Sequence, residues 1–475
     1  MSNPPQARAA LDVAAVLATT VGSSLAVLDS TVVNTALPAL ADDLDLGLAG
    51  LQWVVTAYAL SLAALLLVGG SLGDRFGRRR TFVWGLWAFA ITTTLCGIAP
   101  SGPALIVARL AQGAAAAVMI PNSLATLSSV HEGAARARAI GIWTGGSAVA
   151  AAVGPLVGGA LTDALSWRAA FLIAVPLCVV AAVAARGIGA AADARGDARP
   201  AILGGLLAAI GLGTLTYGLI DAGEDGLAPA SIAALAIAVV ATAAFAWHEA
   251  RVAAPLVPRA LWRARAFGAA NIVTVLIYGG FGGALFLLGL YLQTVAGYSA
   301  LAAGAATLPL SVLLAALASR AGAVARRVGV GPLIGGGSLL IAASLVLLAR
   351  AGTDAPFVSD VLPGISLFGL GLALIVAPIT SAALDVAPVE QQGAASGVNI
   401  AAARVGSLLA VAALGPLVAW AYDRAADTGR VFGSGADGVE RLASADAYGF
   451  GMYTMSAICV LGGLIAFAVL PRTRG

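Results

Sequence analysis

The chain has 475 residues, of which 60% are hydrophobic and 10% charged, and its mean hydropathy is +0.96. A soluble domain carries about 25% charged residues, so this composition excludes an ordinary soluble enzyme or a nucleic-acid-binding module and indicates a polytopic membrane protein. The net charge of +3 is small, and every basic residue is arginine.

Apolar segments near the length needed to cross a bilayer fall at 11–35, 51–71, 81–99, 103–129, 138–162, 168–185, 201–220, 228–247, 267–295, 300–319, 330–349, 358–384, 393–422 and 449–470. The expected architecture is therefore all-α, with fourteen transmembrane helices joined mostly by tight polar links. The first apolar run continues from Leu11 to Pro38 without a cleavage site, so it reads as a span and not a signal peptide. Placing both termini in the cytoplasm puts 19 of the 26 arginines in inside links, among them Arg75, Arg78, Arg79 and Arg80. That arginine bias is what the positive-inside rule describes, and the acids lean the other way, with Asp42, Asp43, Asp45, Asp221, Glu224 and Asp225 in outside links. The longest outside link, about 423–448, is Gly- and Asp-rich and reads as a loose loop.

The polar links 186–200 and 248–266 divide the chain into six, two and six spans: an N-terminal bundle (1–199), two linker helices (200–250) and a C-terminal bundle (251–475). A faint repeat supports the division. GGSAVAAAVGPLVGG (145–159) resembles GSLLAVAALGPLVAW (406–420), each in the fifth span of its six-span block. Two related six-helix bundles around an axis along the membrane normal account for such spacing.

Asp29 is the one carboxylate unambiguously inside an apolar segment. A charge at that depth costs about 2.5–3.5 kcal/mol or more, so residues of this kind are commonly tied to a pathway or proton relay. Arg109, in the fourth span, reaches a similar depth on an antiparallel helix. A facing guanidinium favours the charged carboxylate whereas burial favours the neutral one, and a proton-coupled site needs the two in near balance. A purely structural ion pair is the competing reading.

The link GGSLGDRFGRRR (69–80) has the features of a hinge. Gly70, Gly73 and Gly77 permit a tight turn and close helix approach, Asp74 can pair with arginines, and Arg78, Arg79 and Arg80 suit anionic headgroups. In the fifth span Gly146, Ala150, Gly154 and Gly158 recur at steps of four, a stripe along which another helix can pack closely. Pro155 lacks the N–H that the carbonyl of Ala151 would accept. Gln112, Asn122, Asn271 and Asn399 can line a cavity or form interhelical hydrogen bonds. Tyr58, Trp143, Tyr278 and Phe281 can supply an aromatic substrate surface or plain packing. Cys96, Cys178 and Cys459 are widely separated in apolar segments and read as packing residues. The sequence holds no phosphate-binding loop and no metal-ligand cluster, so neither cofactor, metal nor direct ATP use is expected.

The 69–80 link closely resembles the signature link between helices two and three of the major facilitator superfamily. ARLAQGAAAAVMIPNSLATL (108–127) resembles its fourth-helix motif, implicated in proton transfer. GPLVGG (154–159), with Gly159, resembles the fifth-helix motif of its exporters. LDSTVVNTALPAL in the first span, with LQWVVTAYAL, WRAAFLIAVP, APLVPRALWRARAFGAAN and NIAAARVGS, resembles the fourteen-helix drug:proton antiporters. That resemblance covers nearly the whole chain. It implies proton-driven export of amphipathic compounds across the cytoplasmic membrane, with Asp29 and Arg109 coupling the proton and the 69–80 link switching conformation without touching substrate. It also places Asn399 and Arg404 in the thirteenth span, beside a cavity. With one secure intramembrane acid, a neutral or monocationic substrate is expected, and the protein is expected to act as a monomer among membrane lipids. A nutrient importer and a lipid- or metabolite-handling protein of the same fold are the alternatives; the fifth-span motif argues against the importer.

Overall fold

The computed structural model describes residues 5–188, 202–224, 226–252, 255–384, 387–388, 391–426, 430–433 and 438–470. The predicted 186–200 boundary lies almost wholly outside the described residues. Seven helices form the N-terminal part: α1 (Pro5–Leu44), α2 (Leu48–Phe76), α3 (Arg78–Gly97), α4 (Gly102–Val130), α5 (Gly133–Ala164), α6 (Trp167–Leu172) and α7 (Ala174–Ala185). Next come α8 (Ile202–Glu224), α9 (Pro229–Arg251) and the short α10 (Arg259–Arg263). The remainder comprises α11 (Arg265–Leu290), α12 (Ala300–Ala306), α13 (Leu308–Val328), α14 (Val330–Leu348), α15 (Leu362–Leu384), α16 (Gln392–Asp423) and α17 (Gly438–Val469). Single π-helical turns at Tyr291–Val295 and Phe357–Val361 adjoin α11 and α15. There is no strand among the described residues.

Proline chemistry explains two interruptions that hydropathy does not show. The sixth apolar segment breaks at Ile173 between α6 and α7, where Pro176 cannot donate to the carbonyl of Leu172. The tenth breaks at Thr307 between α12 and α13, where Pro309 likewise leaves the carbonyl of Ala305 without its helical donor. The 423–448 link is not wholly a loop: α17 starts at Gly438. Glu440, Arg441 and Asp446 dilute the hydropathy of that stretch, while Ala443, Ser444, Ala447 and Tyr448 are buried on one face.

Thirteen helical spans among the described residues are long and apolar enough to cross a membrane. The remaining apolar segment, 81–99, forms α3, whose three leading arginines and Thr92–Thr94 lower its hydropathy. Its flanks pack on α4 and α7 like those of a span. The chain is thus an all-α, multi-pass membrane protein.

Helices α1–α7 pack among themselves, as do α11–α17. α8 and α9 pair with each other, and α8 lies against both α2 and α16. The two halves meet through α5 on α12, α2 on α16 and α1 on α11. Small residues make these approaches possible. A Cβ at Gly159 would collide with the backbone of Ala300, and one at Gly304 with the backbone of Pro155.

The halves are joined most firmly at the end opposite the arginine-rich links. There, both carboxylate oxygens of Asp163 on α5 accept from the N-terminus of α12, with Ala300 N at 3.1 Å and Leu301 N at 2.9 Å. Gln52 of α2 donates to the carbonyl of Val411 on α16, and Arg430 pairs with Asp45 at 2.7 Å. Toward the arginine-rich end, Ala134–Arg138 of α5 and much of α13 beyond Val312 are exposed, and Gly141, Gly145 and Gly322 face open space. The molecule is closed at one end and open at the other.

Candidate functional site

Five helices, α1–α4 and α6, converge on the Asp29–Arg109 pair. The carboxylate is 3% exposed and Arg109 1%, and an Arg109 Nη1 donates to Asp29 Oδ2 at 2.5 Å. The other carboxylate oxygen accepts from Gln112 Nε2 at 2.8 Å. Arg109 also donates through Nε to the carbonyl of Val54 at 3.0 Å and through Nη1 to Gln112 Oε1 at 2.6 Å. Gln112 reaches α3 as well, donating to Thr93 Oγ1 at 2.6 Å. The guanidinium lies 4.5 Å from the ring centre of Tyr58 and 5.7 Å from that of Phe171. Tyr58 in turn donates to the carbonyl of Ala26 at 3.3 Å.

This arrangement satisfies the physical condition for a buried charge pair. Desolvation of two ions is offset only where the geometry is good and the remaining donors and lone pairs are also used. Both carboxylate oxygens have donors, and the guanidinium has a carboxylate, a carbonyl, an amide and an aromatic face. Gln112 therefore belongs to the Asp29–Arg109 network; it does not line a cavity, as the sequence allowed. It lies three positions after Arg109, which places both on one face of α4. That spacing was a usable signal.

At the 69–80 link, α2 ends at Phe76 and α3 starts at Arg78, with Gly77 at φ 97° between them. A side chain is strained in that conformation, so glycine is required there. Gly77 N donates to Gly73 O at 2.9 Å and Thr81 N to Gly77 O at 3.0 Å. Asp74 pairs with Arg78 at 3.1 Å on the surface. Arg79 reaches the end of α7, donating to the carbonyls of Ala185 at 3.0 Å and Arg186 at 3.3 Å. Gly70 has Pro121 of α4 beside it, and Gly73 is pressed against Asn122. Asn122 donates to the carbonyls of Gly69 at 2.8 Å and Val118 at 2.7 Å, so it clamps α4 to α2 and is 1% exposed. It too is a helix-packing residue and not a cavity residue.

The small-residue stripe of α5 has two sides. Gly146, Gly154 and Gly158 lie against Thr20, Thr31 and Val32 of α1. Pro155 and Gly159 lie against Gly304 and Ala300 of α12, across the boundary between halves. α16 repeats this pattern, with Gly406 against Val275 of α11 and Gly415 against Gln52 of α2. The sequence repeat thus marks two helices that play matching parts.

Of the other cavity candidates, Trp143 is half-buried and donates to Ser123 at 3.1 Å. Asn399 donates to Asn271 Oδ1 at 3.3 Å and Thr274 Oγ1 at 2.9 Å, joining α16 to α11. Tyr278 and Phe281 are half-buried and stand edge-on at 6.3 Å, and Phe281 continues edge-on to Phe368 at 5.7 Å. Arg404 is half-buried in α16 and makes no hydrogen bond or ion pair with the described residues. Sequence reading missed Thr93, Gln52 and Asp163. Asp163 carried a signal, since it lies one helical turn beyond Gly159 and on the same face.

The model of the Major Facilitator Superfamily matches residues 19–411. The chain is 37% identical over 407 residues to a tetracenomycin C resistance and export protein of Streptomyces glaucescens, covering 85% of this chain and 75% of that one. It is 35% identical over 452 residues to a puromycin resistance protein of Streptomyces alboniger, covering 94% and 88%. Among solved structures, a bacterial homologue of the lysosomal transporter Spinster superposes with a TM-score of 0.69 at 17% identity, covering 99% of this chain and 98% of that one. A nucleoside transporter, NupG, gives 0.68 at 10% identity, covering 97% and 100%. These two likenesses show the fold. Family match, relatives and architecture agree, and the chain belongs to the Major Facilitator Superfamily: it is a membrane transporter and not an enzyme.

Proposed function

We propose that the protein exports small amphipathic compounds of the antibiotic type across the cytoplasmic membrane, in exchange for protons. The arginine-rich links and both termini face the cytoplasm. The halves 1–199 and 251–475 rock against each other, with the helices of 200–250 inserted between them in sequence. The closed end then faces outward and the open end inward, the state that admits substrate from the cytoplasm. The relatives with resistance and export activities support the direction of transport and the substrate class.

The observation that carries the proton coupling is the environment of Asp29. Protonation of Asp29 removes one charge from a pair that joins α1 to α4. Arg109 is not stranded when that happens, because Val54 O, Gln112 Oε1 and the Tyr58 ring remain around it. The network can therefore exist with and without the negative charge, which a relay requires and a merely structural pair does not. When the closed end opens outward, Asp29 gains water and takes a proton. On return to the inward-open state the proton leaves as substrate enters, and the Asp29–Arg109 pair forms again. No cofactor is needed, since the proton gradient supplies the driving force.

Transport in sealed vesicles with an imposed pH gradient tests the reading. Asp29→Asn retains insertion and a folded protein, yet loses export that responds to the gradient. Gradient-driven export by that variant at the wild-type rate removes Asp29 from the mechanism. Accumulation of a nutrient in the opposite direction overturns export itself.

A further inference from the structure

We infer that Arg404 is the recognition point for an anionic group, a carboxylate or an acidic phenol, on an otherwise apolar substrate. The inference rests on the reading of the chain as an exporter and adds the charge of what is exported. The two arginines deep in the helices are treated very differently. Arg109 has a carboxylate, a carbonyl, an amide and a ring around it, whereas Arg404 makes no hydrogen bond or ion pair with any described residue.

Its place in the fold follows from helical spacing. Gly397, Arg404 and Val411 recur every seven residues and share one face of α16. Gly397 lies against Leu67 of α2, and the Val411 carbonyl accepts from Gln52 of α2. Since α2 and α16 run antiparallel, Arg404 comes opposite the stretch of α2 midway between Gln52 and Leu67, which holds Tyr58. On its other flank α16 packs on α11, where Gly279 lies against Gly406, two positions after Arg404, which brings Tyr278 to the same level. It therefore lies where α2 of one half faces α16 of the other.

The surroundings define the ligand. Asp29 and Arg109 cancel within their own pair, which leaves the charge of Arg404 uncompensated between two tyrosines. An unpaired ion in such a place is costly, and a planar guanidinium with its donors unused suits a carboxylate held by two parallel hydrogen bonds. A cationic substrate would meet like charge there. The edge-on pair Tyr278 and Phe281, both half-buried on α11, offers an aromatic surface on the helix that packs against α16. An aromatic or fused-ring scaffold bearing one acidic group fits both parts. This replaces the sequence expectation of a neutral or monocationic compound, which considered Asp29 without the unpaired Arg404. Exchange of a monoanion outward for a proton inward also moves charge in one direction, so export responds to membrane potential.

Three probes that share one skeleton test the inference on the purified full-length protein: 4-(1-pyrenyl)butyrate and the corresponding alcohol and amine. Competition binding and thermal stabilisation should rank the carboxylate first, roughly tenfold or more above the alcohol, as a hydrogen bond to a charged group implies, with the amine last. Arg404→Gln should erase the preference for the carboxylate and leave alcohol binding unchanged, while Arg404→Lys keeps part of it. Equal binding of the three probes, preference for the amine, or an undiminished carboxylate preference in Arg404→Gln overturns the inference. If Arg404→Gln fails to fold, the wild-type ranking and the lysine variant decide. Binding needs no proton gradient. A preserved ranking with no proton-driven transport therefore sinks the antiport reading alone, and the reverse result sinks only the anionic substrate.

Discussion

Asp29 and Arg109 were legible in the sequence because each is a charge in an apolar run and depth on antiparallel helices can be counted. Gln112 was not assigned to their network, although its place one turn from Arg109 on the same face of α4 pointed there; the amide by itself fits a cavity and a neighbouring helix equally well. Its use on both sides leads to a definite expectation. Gln112→Leu leaves Asp29 Oδ1 and Thr93 Oγ1 without their donor, at a cost of about 1–3 kcal/mol for each group left unpaired. The variant should lose thermal stability in detergent even without substrate. An unchanged melting temperature would show that the Gln112 bonds contribute nothing. Asn122 follows the same logic at the 69–80 link, where its two bonds to backbone carbonyls fix how closely α2 and α4 approach.

Among the helices, the glycine stripe of α5 was readable as packing, but not its division into two sides. One side serves α1 within a half, and the other serves α12 across the boundary. A Cβ at Gly158 would lie 2.8 Å from Val32 Cα. Gly158→Val should therefore destabilise the N-terminal half by about 1–3 kcal/mol through overpacking, seen as a lower melting temperature. Asp163→Asn should act differently, because it removes a charge-assisted contact between halves and leaves the packing within each half alone. Hydrogen bonds to charged groups contribute about 1.5–3 kcal/mol, so the open–closed equilibrium of that end should shift roughly tenfold or more toward opening. Labelling of a single cysteine placed at Ala303, which is buried at the closed end, reads the shift, and labelling rates equal to those of the parent protein would remove Asp163 as a latch. Gln52 could not be assigned from sequence, because its partner lies 359 residues away and no local pattern records such pairing; for Asp163, whose partner lies 137 residues away, the glycine face of α5 showed the side it occupies but not the helix it meets. The helical start of α17 was missed for a related reason, since a half-polar turn has low hydropathy although one face is buried.

On the scale of the whole molecule, the fourteen apolar segments and the repeat between 145–159 and 406–420 carried most of the architecture. Hydropathy alone does not show which end is closed. That depends on a few long-range contacts, chiefly Asp163 with α12, Gln52 with α16 and Asp45 with Arg430. Alternating access through these halves predicts that a short, cleavable thiol crosslink between cysteines at positions 45 and 430, whose native side chains pair across the closed end, locks that end and abolishes transport, with cleavage restoring it. Full transport by the crosslinked protein would contradict the rocking motion.

In the antiport proposed for this chain, Asp29 gives up a proton when substrate enters. Proton release from purified, detergent-solubilised protein can be followed with a pH indicator in weak buffer as substrate is added. Release is expected from the wild-type protein and none from Asp29→Asn at saturating substrate. Release of equal size from both proteins would contradict it.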